Sequence, residues 1–107
     1  MSASVAKLND LLRTTFLTGE VVLTEGIGNL EPEQREAVIT GVRTFDAFGE
    51  NNDPYGERDF GAFKVEGVGT IFWKIDYYGT DYQSRSPDPA DPNVTRRVLT
   101  IMLAMEY

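Results

Sequence analysis

The sequence predicts an α+β fold: an antiparallel sheet of three to four strands packed with about three helices, in the order α-β-α-β-β-α. Three observations lead there. An apolar stripe at helical spacing opens the chain, a nine-residue run with one wholly apolar strand face (TIFWKIDYY, 70–78) lies late in it, and proline- and glycine-rich segments separate the periodic stretches. At 107 residues the chain supports a single domain, 1–107, with one core.

In the first helix Val5, Leu8, Leu12 and Phe16 follow the stripe, with Leu11 beside it. Ser4 is placed to cap its start and Gly19 to lie just past its end. Glu20 to Thr24 (EVVLT) reads as a short strand, and Gly26, Gly28 and Asn29 as a turn. Pro32 opens the second helix where a missing N–H costs nothing, and Glu31, Glu33 and Glu36 complement its dipole. Val38, Ile39, Val42 and Phe45 form its apolar stripe. Gly41 within it is worth about 1 kcal/mol less than alanine, a cost that close packing against a neighbour would offset.

Residues 49–58 (GENNDPYGER) form a loop by composition. A hairpin follows, with Phe63 and Val65 on one strand, Glu66 to Gly69 in the turn and Thr70 to Tyr78 on the other strand. Ile71, Trp73, Ile75 and Tyr77 share the expected core face; Phe72, Lys74, Asp76 and Tyr78 share the other. Thr80 to Gln83 suggest a short edge strand. Residues 86–92 (SPDPADP) exclude regular structure, and Asp91 with Pro92 then signals a last helix. Val94, Val98, Ile101, Met102 and Met105 would share its buried face, leaving Arg96 and Arg97 on the polar one. The run from Val98 to Met105 also fits a strand; the Asp-Pro start and the length favour the helix.

Composition narrows the chemistry. With neither histidine nor cysteine there is no imidazole base, no disulfide and no thiolate or imidazole metal site. No apolar run approaches the ~20 residues of a membrane span, and no secretory signal pattern opens the chain, so a cytoplasmic location is expected. The net charge of −7 opposes direct binding to nucleic acid and to anionic membranes and permits a basic partner. The charge is localised: 1–17 carries +1, 18–59 carries −7 and 60–107 carries −1.

Asp59-Phe60-Gly61 spells a kinase motif, but the glycine-rich loop, strand lysine and catalytic loop that give it meaning are missing, so the match is chance. Gly26-Ile27-Gly28 lacks the third glycine of a nucleotide-binding turn. The remaining chemistry is that of carboxylates. Asp46, Glu50, Asp53, Glu57 and Asp59 crowd one loop-rich stretch. The spacing of 50–56 does not match a calcium loop, and a self-capping solvated loop is the simpler reading, so no metal or cofactor is assigned. Tyr55, Phe72, Lys74 and Tyr78 mark a second candidate surface, since aromatics interleaved with mixed charges anchor interfaces.

Three stretches, 45–61 (FDAFGENNDPYGERDFG), 72–78 (FWKIDYY) and 86–107 (SPDPADPNVTRRVLTIMLAMEY), give the chain a likeness to a known family. It resembles a small bacterial family known only as a domain of unknown function, DUF3768. The resemblance implies a bacterial cytosolic protein, often encoded on plasmids and other mobile elements, and carries no activity or catalytic residue with it. Family members often have histidines where this chain has Tyr55 and Arg58, so no histidine-dependent role carries over. By analogy with other small acidic proteins of mobile elements, an inhibitor of host defence, anti-CRISPR or anti-restriction, is one expectation.

The leading expectation is a non-enzymatic interaction protein that meets a basic partner protein, such as a nucleic-acid-binding complex, through its acidic segment. The alternatives are a small carboxylate- or metal-dependent enzyme or ligand-binding domain centred on residues 46–59, and a structural homo-oligomer.

Overall fold

The computed structural model describes residues 2–107, with side chains from Ser4 onward. Its elements are α1 (Ser2–Thr15), β1 (Glu20–Leu23), the single-turn α2 (Glu25–Gly28), α3 (Pro32–Thr44), β2 (Phe60–Val65), β3 (Gly69–Tyr78), β4 (Arg96–Leu103) and a closing 3₁₀ turn, Ala104–Glu106. The four strands form one sheet in the order β1-β4-β3-β2. β4 runs antiparallel to β3 and parallel to β1, and β2 is antiparallel to β3. The α+β class stands.

The end of the chain corrects one expected element: the last periodic segment is a strand, not a helix. Asp91 does not cap a helix. Its carboxylate takes the N–H of Asn93 at 2.9 Å, as Asp88 takes that of Ala90 at 3.1 Å, closing two short turns. Beyond them Leu99 and Ile101 are buried on one face of β4 while Met102 is buried on the other. A strand apolar on both faces shows little period-two alternation, which is why helical and strand readings coincide over this segment. As one of the two interior strands, β4 is paired along both edges. Two smaller expectations also change. Residues 80–83 form a turn rather than an edge strand, with Asp81 accepting the N–H groups of Gln83 and Ser84 at 2.9 and 3.1 Å. The segment around Gly26 winds into α2.

α1 and α3 pack on one face of the sheet, where Leu12, Val38 and Val42 meet Ile71, Trp73, Ile75, Leu99 and Ile101. The expected core face of β3 is therefore the observed one. In α1 the buried stripe is Val5, Asn9, Leu12 and Arg13, turned by about one residue from the apolar stripe, so that Leu11 is left 46 % exposed. Two polar side chains cause the rotation. Arg13, 4 % exposed, donates from Nη1 to the Val42 and Phe45 carbonyls at 3.0 and 2.8 Å and from Nη2 to Asp10 at 2.9 Å. It thereby caps carbonyls at the end of α3, where helix geometry favours a cation. The guanidinium lies 5.4 Å from the ring centroids of both Phe48 and Trp73. α1 stops at Phe16, whose φ of 62° is left-handed, three residues before the expected Gly19.

Gly41 has the close packing its helix position required: a Cβ there would overlap the Phe63 ring on β2. Gly41→Ala therefore lowers stability by about 1–3 kcal/mol through overpacking, despite alanine's better helix propensity. Urea denaturation of Gly41→Ala, Phe63→Leu and the double variant checks this, with Phe63→Leu relieving part of the loss; a stabilising Gly41→Ala would contradict the packing.

Candidate functional site

The sheet has one face without a helix. Strand alternation sends Phe72, Lys74, Asp76 and Tyr78 of β3 outward beside Met102, Thr100, Val98 and Arg96 of β4. Phe60 of β2 and the C-terminal Tyr107 close on Phe72, with ring centroids 5.5 Å and 5.4 Å away. Lys74 and Asp76 form an ion pair at 3.1 Å on the same face. Both are well exposed, so the pair adds little stability.

At one end of this sheet lies a cleft of about 360 Å³. The last residues of β3, Ile75 to Tyr78, form one wall, Glu57 and Asp59 form the other, and Arg85 reaches in from the loop that follows β3. The local chain path explains the carboxylates. Arg58 takes a left-handed φ of 56°, which costs a non-glycine residue about 1–2 kcal/mol. Its N–H donates to the Asp53 carboxylate at 3.0 Å, and its guanidinium pairs with Asp10 at 2.9 Å and lies 5.0 Å from the Phe48 ring. With Arg58 so anchored, its neighbours Glu57 and Asp59 line the cleft. The Asp59 carbonyl accepts the Ile75 N–H at 2.8 Å, joining this entry to β3.

Behind the cleft is a buried polar chain. Asn9 of α1, fully buried, donates from Nδ2 to the Tyr77 hydroxyl at 2.7 Å and to the Glu57 carbonyl at 2.9 Å. Its Oδ1 accepts from Nε of Arg97 at 2.8 Å. The Tyr77 hydroxyl donates to Oε1 of Glu57 at 3.1 Å. Every polar atom of the Asn9 side chain is thus engaged, which fixes its orientation. Burial holds the Tyr77 phenol above its ordinary range, and the Asp59 and Glu57 carboxylates push the same way. Asp59 is itself raised, first by burial, then by Glu57, Asp53 and Asp76.

The candidate residues divide. Glu57, Asp59 and Tyr78 come together at the cleft. Asp53 is spent on the Arg58 turn. Asp46 and Glu50 are exposed, as is Tyr55 at 79 %, and none of the three lines the cleft. Phe72 and Lys74 lie on the outer sheet face. Among the described residues no three carboxylates are grouped as metal ligands, and no helix is long and apolar enough to cross a membrane. Sequence reasoning missed Asn9, Arg85 and Arg97. Arg97, expected on the polar face of a helix, is 6 % exposed on the inner face of β4. An asparagine at position 9, within the apolar stripe of α1, was the available signal for the buried chain.

Asp59 binds its proton more tightly when folded, so its charge opposes folding once the pH exceeds about 3.9, the unfolded value. Stability contributed by the protonated form is complete below that pH and is lost as pH rises through the folded value. Asp59→Asn therefore raises the melting midpoint at pH 7, and the advantage disappears below about pH 4. Thermal melts of both proteins across that range test this; a lower midpoint for the variant at pH 7 would contradict it.

No curated protein and no solved structure matches the chain. A family does match, over residues 23–106, from the end of β1 to the closing turn. The chain belongs to that family, described as Protein of unknown function (DUF3768).

Proposed function

We propose that the chain is a protein-binding module that docks a basic partner on its outer sheet face, with one arginine or lysine side chain of the partner entering the cleft. The observation that carries this reading is the cleft's charge: Glu57, Asp59 and Asp76 line it against the single guanidinium of Arg85. Crowding by Glu57, Asp53 and Asp76 helps to raise Asp59, and an incoming cation relieves that repulsion. Tyr77 and Tyr78 supply rings against which a guanidinium stacks. Beyond the cleft, the Phe60, Phe72 and Tyr107 rings offer apolar contact area beside the Lys74–Asp76 pair, the mixture that anchors protein interfaces. The chain's net charge of −7 speeds encounter with such a partner and makes the complex salt-sensitive. In its sharpest form the partner is the basic nucleic-acid-binding surface of a defence complex, and the protein acts by occupying it.

The test separates the cleft from general acidity. Binding of an arginine-rich peptide is measured by calorimetry for the native chain, for Glu57→Gln/Asp59→Asn/Asp76→Asn, and for the control Glu33→Gln/Glu36→Gln/Glu50→Gln, whose three residues are exposed elsewhere. The cleft variant binds about tenfold more weakly, a loss of about 1.4 kcal/mol, while the control loses markedly less. Equal losses in the two variants overturn the reading.

A further inference from the structure

Arg97 is a buried cation without a carboxylate. Its Nε donates to Asn9, one Nη donates to the Pro89 carbonyl, and its guanidinium lies 5.1 Å from the Tyr77 ring centroid. No carboxylate among the described residues forms an ion pair with it. Burial depresses its pKa, the direction expected of a cation short of compensation. A guanidinium presents five N–H groups, and these contacts use only part of them. Nη1 has no acceptor among the described residues.

Arg97 also lines a second cavity, of about 190 Å³, bounded by Leu8 and Leu11 of α1, Thr18, Pro92 and Thr95. This cavity and the acidic cleft share no lining residue, although Arg97 of the one is the cross-strand partner of Tyr77 of the other. Its walls are carbon-rich, with Thr18 and Thr95 as the polar residues beside Arg97. The Thr95 hydroxyl is already committed to Ser86 and to the Asp88 carbonyl. Residues 1–17, which supply its α1 wall, carry +1 in a chain of −7. Lys7 is exposed one helical turn before Leu11. The partial exposure of Leu11 follows from the rotation of α1 and leaves an apolar rim at the cavity.

We propose that this cavity is an anion site that takes a carboxylate carried on a short apolar group, with the Arg97 guanidinium as counter-ion and Leu8, Leu11 and Pro92 around the apolar part. A planar carboxylate matches the guanidinium fork, and the carbon-rich wall suits an acid with an apolar tail better than a phosphate. Either a free short-chain acid or the C-terminal carboxylate of a peptide ending in an aliphatic residue supplies this chemistry. The site is independent of the basic-partner reading, although Asn9 links the two through one hydrogen-bonded chain.

The experiment is a titration of the isotope-labelled chain followed by amide and arginine Nε–Hε NMR signals. The probes are isovalerate, N-acetyl-leucine and the uncharged N-acetyl-leucinamide. Saturable millimolar shifts at Arg97, Leu8, Leu11, Thr18 and Thr95 are expected with at least one acid and not with the amide. Isovalerate binding more tightly points to a free acid; N-acetyl-leucine binding more tightly points to a chain terminus. Arg97→Gln weakens binding about tenfold or more. Because that variant disturbs a buried network, Thr18→Glu provides the second arm: at the exposed mouth it sets a carboxylate of the chain's own against the incoming acid and removes binding in a folded protein. Equal shifts with acid and amide, no shift with either acid at tens of millimolar, or unchanged binding in Thr18→Glu would each overturn the proposal.

Discussion

The Arg13 guanidinium is the polar contact that ties both long helices to the sheet within the apolar core they share. It reaches from α1 to the carbonyls that close α3 and lies against Phe48 and the indole of Trp73, the largest fully buried side chain. A buried cation is costly unless acceptors surround it, and here two carbonyls, a carboxylate and two aromatic faces serve its Nη groups and its plane, while Nε has no acceptor among the described residues. Those acceptors come from segments far apart in sequence, so they are in place only when α1, α3 and β3 are docked together. Asn9 lies one helical turn earlier on the same side of α1. That helix therefore enters the core with two polar anchors among its apolar residues, and the geometry of both clefts follows from its position.

Much of the sheet was legible in the sequence because β3 is apolar on one face and mixed on the other. Ile71, Trp73 and Ile75 mark the core, and their neighbours mark the open side. Gly41 was legible as a packing glycine, since an internal helix glycine needs a reason and Phe63 supplies it. β4 was not legible as a strand, because a central strand with apolar residues on both faces loses its alternation and an Asp-Pro step serves turns as readily as helix starts. The rotation of α1 was hidden for a related reason: apolar periodicity finds leucines, whereas the buried stripe is decided partly by Asn9 and Arg13, whose acceptors lie elsewhere in the chain.

The acidic middle of the chain illustrates the same limit. Its carboxylates are alike in composition and different in place. Asp53 is committed to the turn at Arg58, Asp10 to two arginines, and Asp46 and Glu50 to solvent. Glu57 and Asp59 reach the cleft because a left-handed arginine stands between them. Clustering of like charge in the sequence thus located the segment, while backbone conformation selected which members act together.

Asn9 joins Arg97, Tyr77 and Glu57 through one amide whose donors and acceptor are all used. Such a hub constrains how the protein can evolve. Exchanging the asparagine for a carboxylate removes the donors that Tyr77 and Glu57 receive, and exchanging it for an aliphatic residue strands Arg97. An acceptable change at Asn9 requires a matched change at Arg97 or Tyr77, so these three are expected to vary as a set, whereas Glu57 meets Asn9 through its backbone carbonyl. Residues separated by most of the chain's length are thereby tied to one another, and a viable path between two versions of the hub is expected to pass through double substitutions.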